Sequence, residues 1–88
     1  MTYTITIHKQ AQKKLLSLAT PDRHRIAEAI QQLGNDPDDE RLNVKKMQGS
    51  AADTWRLRVG GWRVIFARDD AVRVIAIERI GARGDVYK

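Results

Sequence analysis

The residues best suited to chemistry in this chain are three arginines, Arg56, Arg58 and Arg63, in a stretch that alternates apolar and basic side chains. Two glycines, Gly60 and Gly61, interrupt the alternation, which predicts a β-hairpin with a two-residue turn. Such a turn places Arg58 opposite Arg63 and puts all three guanidinium groups on one face. Guanidinium groups bind phosphate through a planar fork of donors with a permanent charge. The stretch therefore indicates an anion-binding face.

The charges on this face repel one another. Like charges directly opposite each other destabilise a pair of strands, and no acidic residue lies between Asp53 and Asp69. One interpretation is a basic face that is simply solvated, and the other is a phosphate site that offsets the repulsion. The sequence does not decide between these two interpretations. We expect the other face of the hairpin to pack in the core, since it carries Trp55, Leu57, Val59, Trp62, Val64 and Phe66.

Length, charge and cysteine content limit the kinds of protein that this chain can be. The chain has 88 residues and a net charge of +5, which predicts one domain spanning residues 1–88 and an anionic partner, with nucleic acid the first candidate. The absence of cysteine excludes disulfides and thiolate metal sites and fits a reducing cytoplasm. No segment is long enough to span a membrane, and the first residues lack the order of a signal peptide. We expect a cytoplasmic protein without a membrane partner.

The N-terminal elements follow from periodicity. Residues 3–7 alternate threonines with larger apolar residues, which predicts a strand. Apolar residues at helical spacing predict an amphipathic helix over residues 9–18. Thr20 as N-cap and Pro21 at the first helical position predict the start of a second helix, which we expect to end at Gly34.

The C-terminal half is dominated by strands. Residues 35–41 form a polar, acidic loop, and residues 42–49 are expected to be a short irregular segment or one helical turn. After the arginine hairpin, a turn near Asp69 leads to a last strand over residues 72–80, which is apolar enough to be central in the sheet. Residues 81–88 are a C-terminal tail.

The predicted fold is α+β, in the order strand-helix-helix-strand-strand-strand. Tight turns make the last three strands an antiparallel β-meander, and a short connection makes the helices an antiparallel hairpin. This N-terminal helical hairpin packs on the apolar face of the sheet, so the basic face is expected to point towards solvent.

The order of several short segments carries a family resemblance. They comprise Tyr3-x-Ile5 in the first strand, Ala11 and Leu15 in the first helix, Arg25-Ile26 in the second, Lys45-Lys46-Met47-x-Gly49, the hairpin from Trp55 to Phe66, and residues 80–87 with Arg83 and Tyr87. Together they resemble the RelE/ParE superfamily of bacterial toxins, the toxin halves of type II toxin–antitoxin pairs, in its RelE-like branch.

The resemblance implies a RelE-like fold and a ribosome-dependent endoribonuclease. Such a toxin cleaves messenger RNA in the ribosomal A site, inhibits translation, needs no metal or other cofactor, and is neutralised by a cognate antitoxin. The catalytic positions of the family fall on Arg56, Arg58, Arg63, Arg83 and Tyr87. The candidates for contact with RNA or the ribosome are Lys45, Lys46 and Trp62.

The chain departs from the family pattern at two positions. Well-studied members carry lysines where Arg56 and Arg58 stand, and arginine, unlike lysine, cannot lose a proton in a protein. The general base must then lie elsewhere. The candidates are Tyr87, whose pKa nearby arginines would lower, and Glu78, if its side chain reaches the basic face. Alternatively, positioning on the ribosome provides most of the acceleration.

Two other functions stay open at the sequence level. One is a ParE-like toxin that inhibits DNA gyrase without nuclease activity, and the other is a catalytically inactive basic protein that binds nucleic acid. The dense set of arginines together with Tyr87 favours the nuclease.

Overall fold

The computed structural model describes residues 2–47 and 54–82, which fold into two helices and one five-stranded sheet. This confirms the α+β class and the helical hairpin ahead of the last strands. The elements are β1 (Thr4–Ile7), α1 (Lys9–Ser17), α2 (Thr20–Asn35), β2 (Asn43–Lys46), β3 (Thr54–Val59), β4 (Trp62–Asp69) and β5 (Val74–Ala82).

The sheet is mixed, with the spatial order β1-β5-β4-β3-β2. Strands β3 to β5 form the expected antiparallel meander, and β2 pairs antiparallel with β3. Strand β1 pairs in parallel with β5, with Ile5 opposite Ile75, because the intervening helices and strands return the chain to this edge. Strand β5 therefore has a neighbour on each side, which confirms its predicted central position. It runs two residues further than predicted at its C-terminal end.

The structure corrects the prediction for residues 42–49. This stretch was expected to be irregular or to form one helical turn, but it contains strand β2, in which Val44 lies opposite Leu57 of β3. Only one apolar side chain of the strand points towards the core, so alternation is hard to detect in the sequence. Lys45 and Lys46 are typical of an edge strand, where lysine discourages pairing with another chain.

The arginine hairpin has the predicted register. Arg58 lies opposite Arg63 and Val59 opposite Trp62. The turn places Gly60 at a φ of 60°, a left-handed conformation that favours glycine.

Both helices pack on one face of the sheet and enclose a single apolar core. Its largest fully buried side chain is that of Phe66. The core members are Ala11, Leu15, Ile26, Ile30, Leu33, Leu57, Val64, Phe66, Ile75, Ile77 and Ile80.

Gly34 does not end α2, as the sequence predicted, but lies inside it next to β1. A Cβ atom at Gly34 would lie 2.9 Å from Cγ1 of Ile5. The carbonyl of Gly34 also accepts a hydrogen bond of 2.6 Å from the backbone N–H of Tyr3. Glycine is needed here because the helix and the strand approach closely, and the helix continues to Asn35.

The start of α2 also differs slightly from the prediction. The N-cap is Ala19 rather than Thr20, and Thr20 is already helical. Pro21 does occupy the first turn, where its missing N–H leaves no helical hydrogen bond unmade. In the described part of the chain, no helix is both long and apolar enough to cross a membrane.

Candidate functional site

The predicted basic side chains lie on the face of the sheet opposite the helices. Side chains alternate along β4, so Val64 and Phe66 point into the core while Arg63 and Ile65 point to the other face. Ile65 is only 5% exposed but is not part of the core cluster, which is consistent with this placement. Directly opposed residues share a face, so Arg56 and Arg58 of β3 lie on it as well.

Arg63 is the central residue of this face and is only 3% exposed. The sequence predicted a solvent-facing side chain, which is wrong for Arg63, whereas Arg58 is exposed and Arg56 is half-buried. Strand β4 is the central strand of the five, so Arg63 lies in the middle of this face.

The hydrogen bonding of Arg63 is incomplete within the two described ranges. One terminal N–H donates to the carbonyl oxygen of Trp62 at 3.2 Å, and Nε has no hydrogen-bond partner. No described carboxylate forms an ion pair with it. A buried charge without a counter-ion is costly, by several kcal/mol per ion in proteins. The site is therefore suited to an anion that accepts from this guanidinium.

A fourth arginine, Arg79 of β5, joins the other three. It lies directly opposite Ile65, while Gly81 lies opposite Arg63. Arg79 is thus a diagonal neighbour of Arg63, and Arg56 is the diagonal neighbour on the β3 side. Diagonal neighbours are about 7–8 Å apart, within reach of long side chains. We call Arg56, Arg58, Arg63 and Arg79 the arginine cluster.

A β-bulge in β5 brings Arg79 to this position. Phe66 pairs with Ile77 and Ile65 pairs with Arg79, so Glu78 is an extra residue in the strand. In a bulge, two residues oppose one on the partner strand, and bulges often re-aim side chains near functional sites. The bulge also places Glu78, the second candidate base, beside Arg79. Glu78 is exposed and, with Arg79, lines a shallow groove against α1.

Sequence reasoning missed Arg79 because the bulge breaks the alternation on which such predictions rest. A regular strand with Ile77 and Ile75 in the core would also direct Arg79 towards the core. The signal that could have revealed Arg79 is the apolar residue Ile80. In a regular strand Ile77 and Ile80 would point to opposite faces, so both reach the core only if one residue is inserted between them.

The other candidate RNA contacts do not all share this face. Lys45 of β2 lies opposite Arg56 and extends the basic row to the sheet edge. Lys46 lies opposite Trp55 on the helix side, with its ammonium 5.9 Å from the centre of that indole ring. Trp62 also faces the helix side, where Lys14 of α1 lies 5.9 Å from its ring centre. The structure therefore brings Lys45, but neither Lys46 nor Trp62, to the arginine cluster.

Two candidate catalytic residues, Arg83 and Tyr87, lie outside the described residues. Their roles stay predictions. The last described position, Ala82, lies opposite Trp62 in the sheet, and Gly81 lies opposite Arg63.

A second charged cluster lies on the helix side of the sheet, around Arg68. Its guanidinium binds both carboxylate oxygens of Asp38, at 2.9 and 3.1 Å, and donates from Nε to Asp70 at 2.6 Å. The rings of Tyr3 and Trp55 lie 5.7 and 5.6 Å from it. The side chain of Arg68 is 11% exposed.

Arg68 is paired with two carboxylates, whereas the Nε of Arg63 has no hydrogen-bond partner among the described residues. Hydrogen bonds from Arg68 lower the pKa of Asp38 and of Asp70 and, in return, raise the pKa of Arg68. The Tyr3 hydroxyl donates to Asp70 at 2.8 Å, and this bond raises the pKa of Tyr3. The cluster joins four segments of the chain, and all three nitrogens of the Arg68 guanidinium donate to carboxylates within it, which is consistent with a structural role.

The described residues offer no metal centre. No three or more His, Asp or Glu side chains within residues 2–47 and 54–82 come close enough to hold a metal ion. The chemistry available on the arginine cluster is binding of anions and stabilisation of developing negative charge.

Comparison with protein families gives a match over almost the whole chain. The family model described as ParE toxin of the type II toxin–antitoxin system parDE matches residues 5–87. A candidate toxin RelE1 of Methanocaldococcus jannaschii is 32% identical over 91 residues, covering 100% of this chain and 98% of the relative.

Solved structures agree with this match. The archaeal RelE–RelB complex from Pyrococcus horikoshii contains a chain of 36% identity and a TM-score of 0.82, covering 97% of this chain and 99% of that one. The RelBE2 toxin–antitoxin complex of Mycobacterium tuberculosis gives 25% identity and a TM-score of 0.79, with 94% and 100% coverage. Isolated E. coli RelE, at 20% identity, 98% and 92% coverage and a TM-score of 0.76, shares the fold.

Proposed function

Since the chain belongs to the RelE/ParE superfamily of type II toxins, we propose that it is a ribosome-dependent endoribonuclease that cleaves messenger RNA in the ribosomal A site. The observation that carries the proposal is the incomplete hydrogen bonding of the buried Arg63 inside the arginine cluster. An anion bound there would supply the missing acceptor.

The proposed reaction is attack of a ribose 2′-hydroxyl on the adjacent phosphate, with departure of the 5′-oxygen. Negative charge builds up on the oxygens of the five-coordinate phosphorane, and preorganised cationic donors stabilise that charge more than they stabilise the ground state. Arg63, with its neighbours Arg56 and Arg58, is suited to this role because its guanidinium is already desolvated. Arg83 is the further cation expected at this site.

The proton leaving the 2′-hydroxyl needs an acceptor, which arginine cannot provide. Tyr87 is the first candidate for this base, from the family resemblance. Glu78 is the second, and its place in the bulge next to Arg79 supports it, because a carboxylate can accept a proton. Lys45, Lys46 and Trp62 are proposed to contact RNA or the ribosome outside the reacting phosphate.

We also propose a cognate antitoxin as the cellular partner and the cytoplasm as the site of action. Two of the similar solved structures, from Pyrococcus horikoshii and Mycobacterium tuberculosis, are toxin–antitoxin complexes. A partner segment that covers the arginine cluster would block RNA, and acidic side chains on it would speed association with this basic protein. Expression without the partner gene is expected to arrest growth, and co-expression to restore it.

The test is translation by purified ribosomes, with mapping of messenger RNA ends by primer extension. Wild-type protein is expected to cleave only ribosome-bound messenger, without added metal beyond that which the ribosomes require. Arg63→Met should reduce cleavage about 100-fold, while Arg25→Met, which removes an exposed arginine of α2, should leave it unchanged. Intact messenger after incubation with folded wild-type protein would contradict the proposal.

A second candidate is inhibition of DNA gyrase, because the matching family model is described as a ParE toxin. The two functions separate in one pair of assays. A gyrase inhibitor would block supercoiling of relaxed plasmid and leave messenger RNA intact, whereas the proposed nuclease would do the reverse.

A further inference from the structure

The fourth member of the arginine cluster has no assigned role. Arg79 is exposed, forms no ion pair with any residue in the described ranges, and lies on the same face as Arg63. A solvated arginine on a strand is common, but an inserted residue in β5 places this one on the same face as Arg63, as its diagonal neighbour. A regular strand would not place it there.

The position of Arg79 relative to Arg63 indicates a role for Arg79. Arg56 and Arg79 occupy equivalent diagonal positions on the two strands that flank β4, with Ile65 directly between them. Strands are about 4.8 Å apart, so the backbones of β3 and β5 are separated by about 10 Å at this row. A group bound at Arg63 therefore has one arginine on each side of it, across the strands.

The residue opposite Arg63 on β5 is Gly81, which has no side chain. No β5 side chain therefore lies directly opposite Arg63, and the diagonal position on β5 is occupied by Arg79. This arrangement suits an extended anionic chain that crosses the strands, with one phosphate at Arg63 and the next towards β5.

We infer that Arg79 binds the RNA phosphate next to the scissile one and so sets the position of the strand over Arg63. This inference rests on the proposed function, since it takes RNA as the ligand. Arg79 holds a phosphate whose charge does not change during the reaction, so it binds the substrate and the transition state equally well. Such uniform binding affects KM rather than kcat.

The experiment compares Arg79→Ala, Arg79→Lys and the control Arg25→Ala in ribosome-dependent cleavage. Arg79→Ala is expected to raise KM for ribosome-bound messenger about tenfold with kcat nearly unchanged, as expected for loss of a charged hydrogen bond. Arg79→Lys should recover part of the affinity, because it keeps the charge but loses the fork of donors. Thermal unfolding would check that each variant is folded.

A second readout does not depend on cleavage. Binding of a fluorescent single-stranded RNA oligonucleotide is measured over a range of salt concentrations. Removing one phosphate contact should reduce the slope of log K against log salt by about 0.7 for Arg79→Ala and leave it unchanged for Arg25→Ala.

The outcomes separate the inference from the proposed function. If wild-type protein fails to cleave on ribosomes, the proposed function is wrong, and the salt slope alone then decides whether Arg79 contacts phosphate. If wild-type protein cleaves but Arg79→Ala matches Arg25→Ala in KM and slope, the inference is overturned. A fall in kcat at unchanged KM would also overturn it, since Arg79 would then act on the reacting phosphate.

Discussion

Arg58 and Arg63 lie directly opposite each other on antiparallel strands, yet Arg58 is exposed and Arg63 is only 3% exposed. Two like charges at such a position oppose strand pairing, and burial of one of them adds a desolvation cost. The apolar face of the same hairpin, with Leu57 and Val64 in the core, must offset both. The site is therefore maintained at the expense of stability, as is common where a protein binds a charged ligand.

Replacing Arg63 by methionine should separate stability from activity. The variant loses a buried guanidinium with an unpaired N–H, so we expect its free energy of unfolding to rise by about 1–3 kcal/mol. Loss of one charge contact in the transition state should reduce cleavage about 100-fold and abolish growth inhibition. Urea denaturation and single-turnover cleavage measure the two effects. A folded variant that still arrests growth at the wild-type level would exclude this role.

The general base can be identified by two conservative substitutions. Tyr87→Phe removes only a hydroxyl and Glu78→Gln only a charge, so whichever residue is the base should lower the single-turnover rate about 100-fold with little change in binding. Glu28→Gln on α2 is the matched control. Full activity in both variants would leave proton transfer to solvent or to the ribosome.

Gly34→Ala should destabilise the fold because the added Cβ would lie 2.9 Å from Cγ1 of Ile5. The cost of such overpacking is typically about 1–3 kcal/mol. Gly61→Ala is the control, since no atom lies within 4 Å of a Cβ at that position and its φ is not in the left-handed region. Urea denaturation of both variants provides the comparison, and equal stabilities would show that the helix can shift away from the strand at no cost.

The Arg68 cluster predicts an acid-sensitive contribution to stability. Hydrogen bonds from Arg68 lower the pKa of Asp38 and Asp70 from the usual 3.8 in the folded state. A carboxyl group whose pKa is lower in the folded than in the unfolded state contributes its full stabilisation above the pKa of the unfolded state. This stabilisation is lost as the pH falls through the pKa of the folded state. Stability should therefore fall as the pH drops below about 4.

Arg68→Met tests this prediction. The variant should be less stable than wild type at pH 7 and lose less stability between pH 5 and pH 2 (approximate limits that bracket these carboxyl pKa values). Arg25→Met, which removes an arginine that forms no ion pair in the described ranges, should keep the wild-type pH dependence. Parallel pH profiles for wild type and Arg68→Met would rule out this contribution.

Sequence patterns predicted the parts of the fold that repeat regularly. The alternation around Gly60 specified the hairpin and the pairing of Arg58 with Arg63, because side chains on a strand alternate strictly and a two-residue turn leaves one register. The basic face was predicted for the same reason. Burial of Arg63 was not, since the alternation specifies the face on which a side chain lies and not how much of that side chain the rest of the chain covers.

The missed features share a physical cause, which is contact between parts of the chain that are distant in sequence. Gly34 resembled a helix stop, because the need for a close approach to Ile5 is invisible locally. Strand β2 is too short and too rich in lysine to show a period. Arg79 was missed because one inserted residue, Glu78, reverses the alternation in β5.

The parallel pairing of β1 with β5 has a consequence for how the protein becomes active in a cell. Strand β1 precedes every other element in the chain, and its only sheet partner is the last strand described, so this pair forms after the rest of the sheet is available. During synthesis β1 has no strand to pair with until β5 has emerged from the ribosome. Because β5 also carries Arg79, a chain that stops short of β5 lacks both the partner of β1 and part of the arginine cluster.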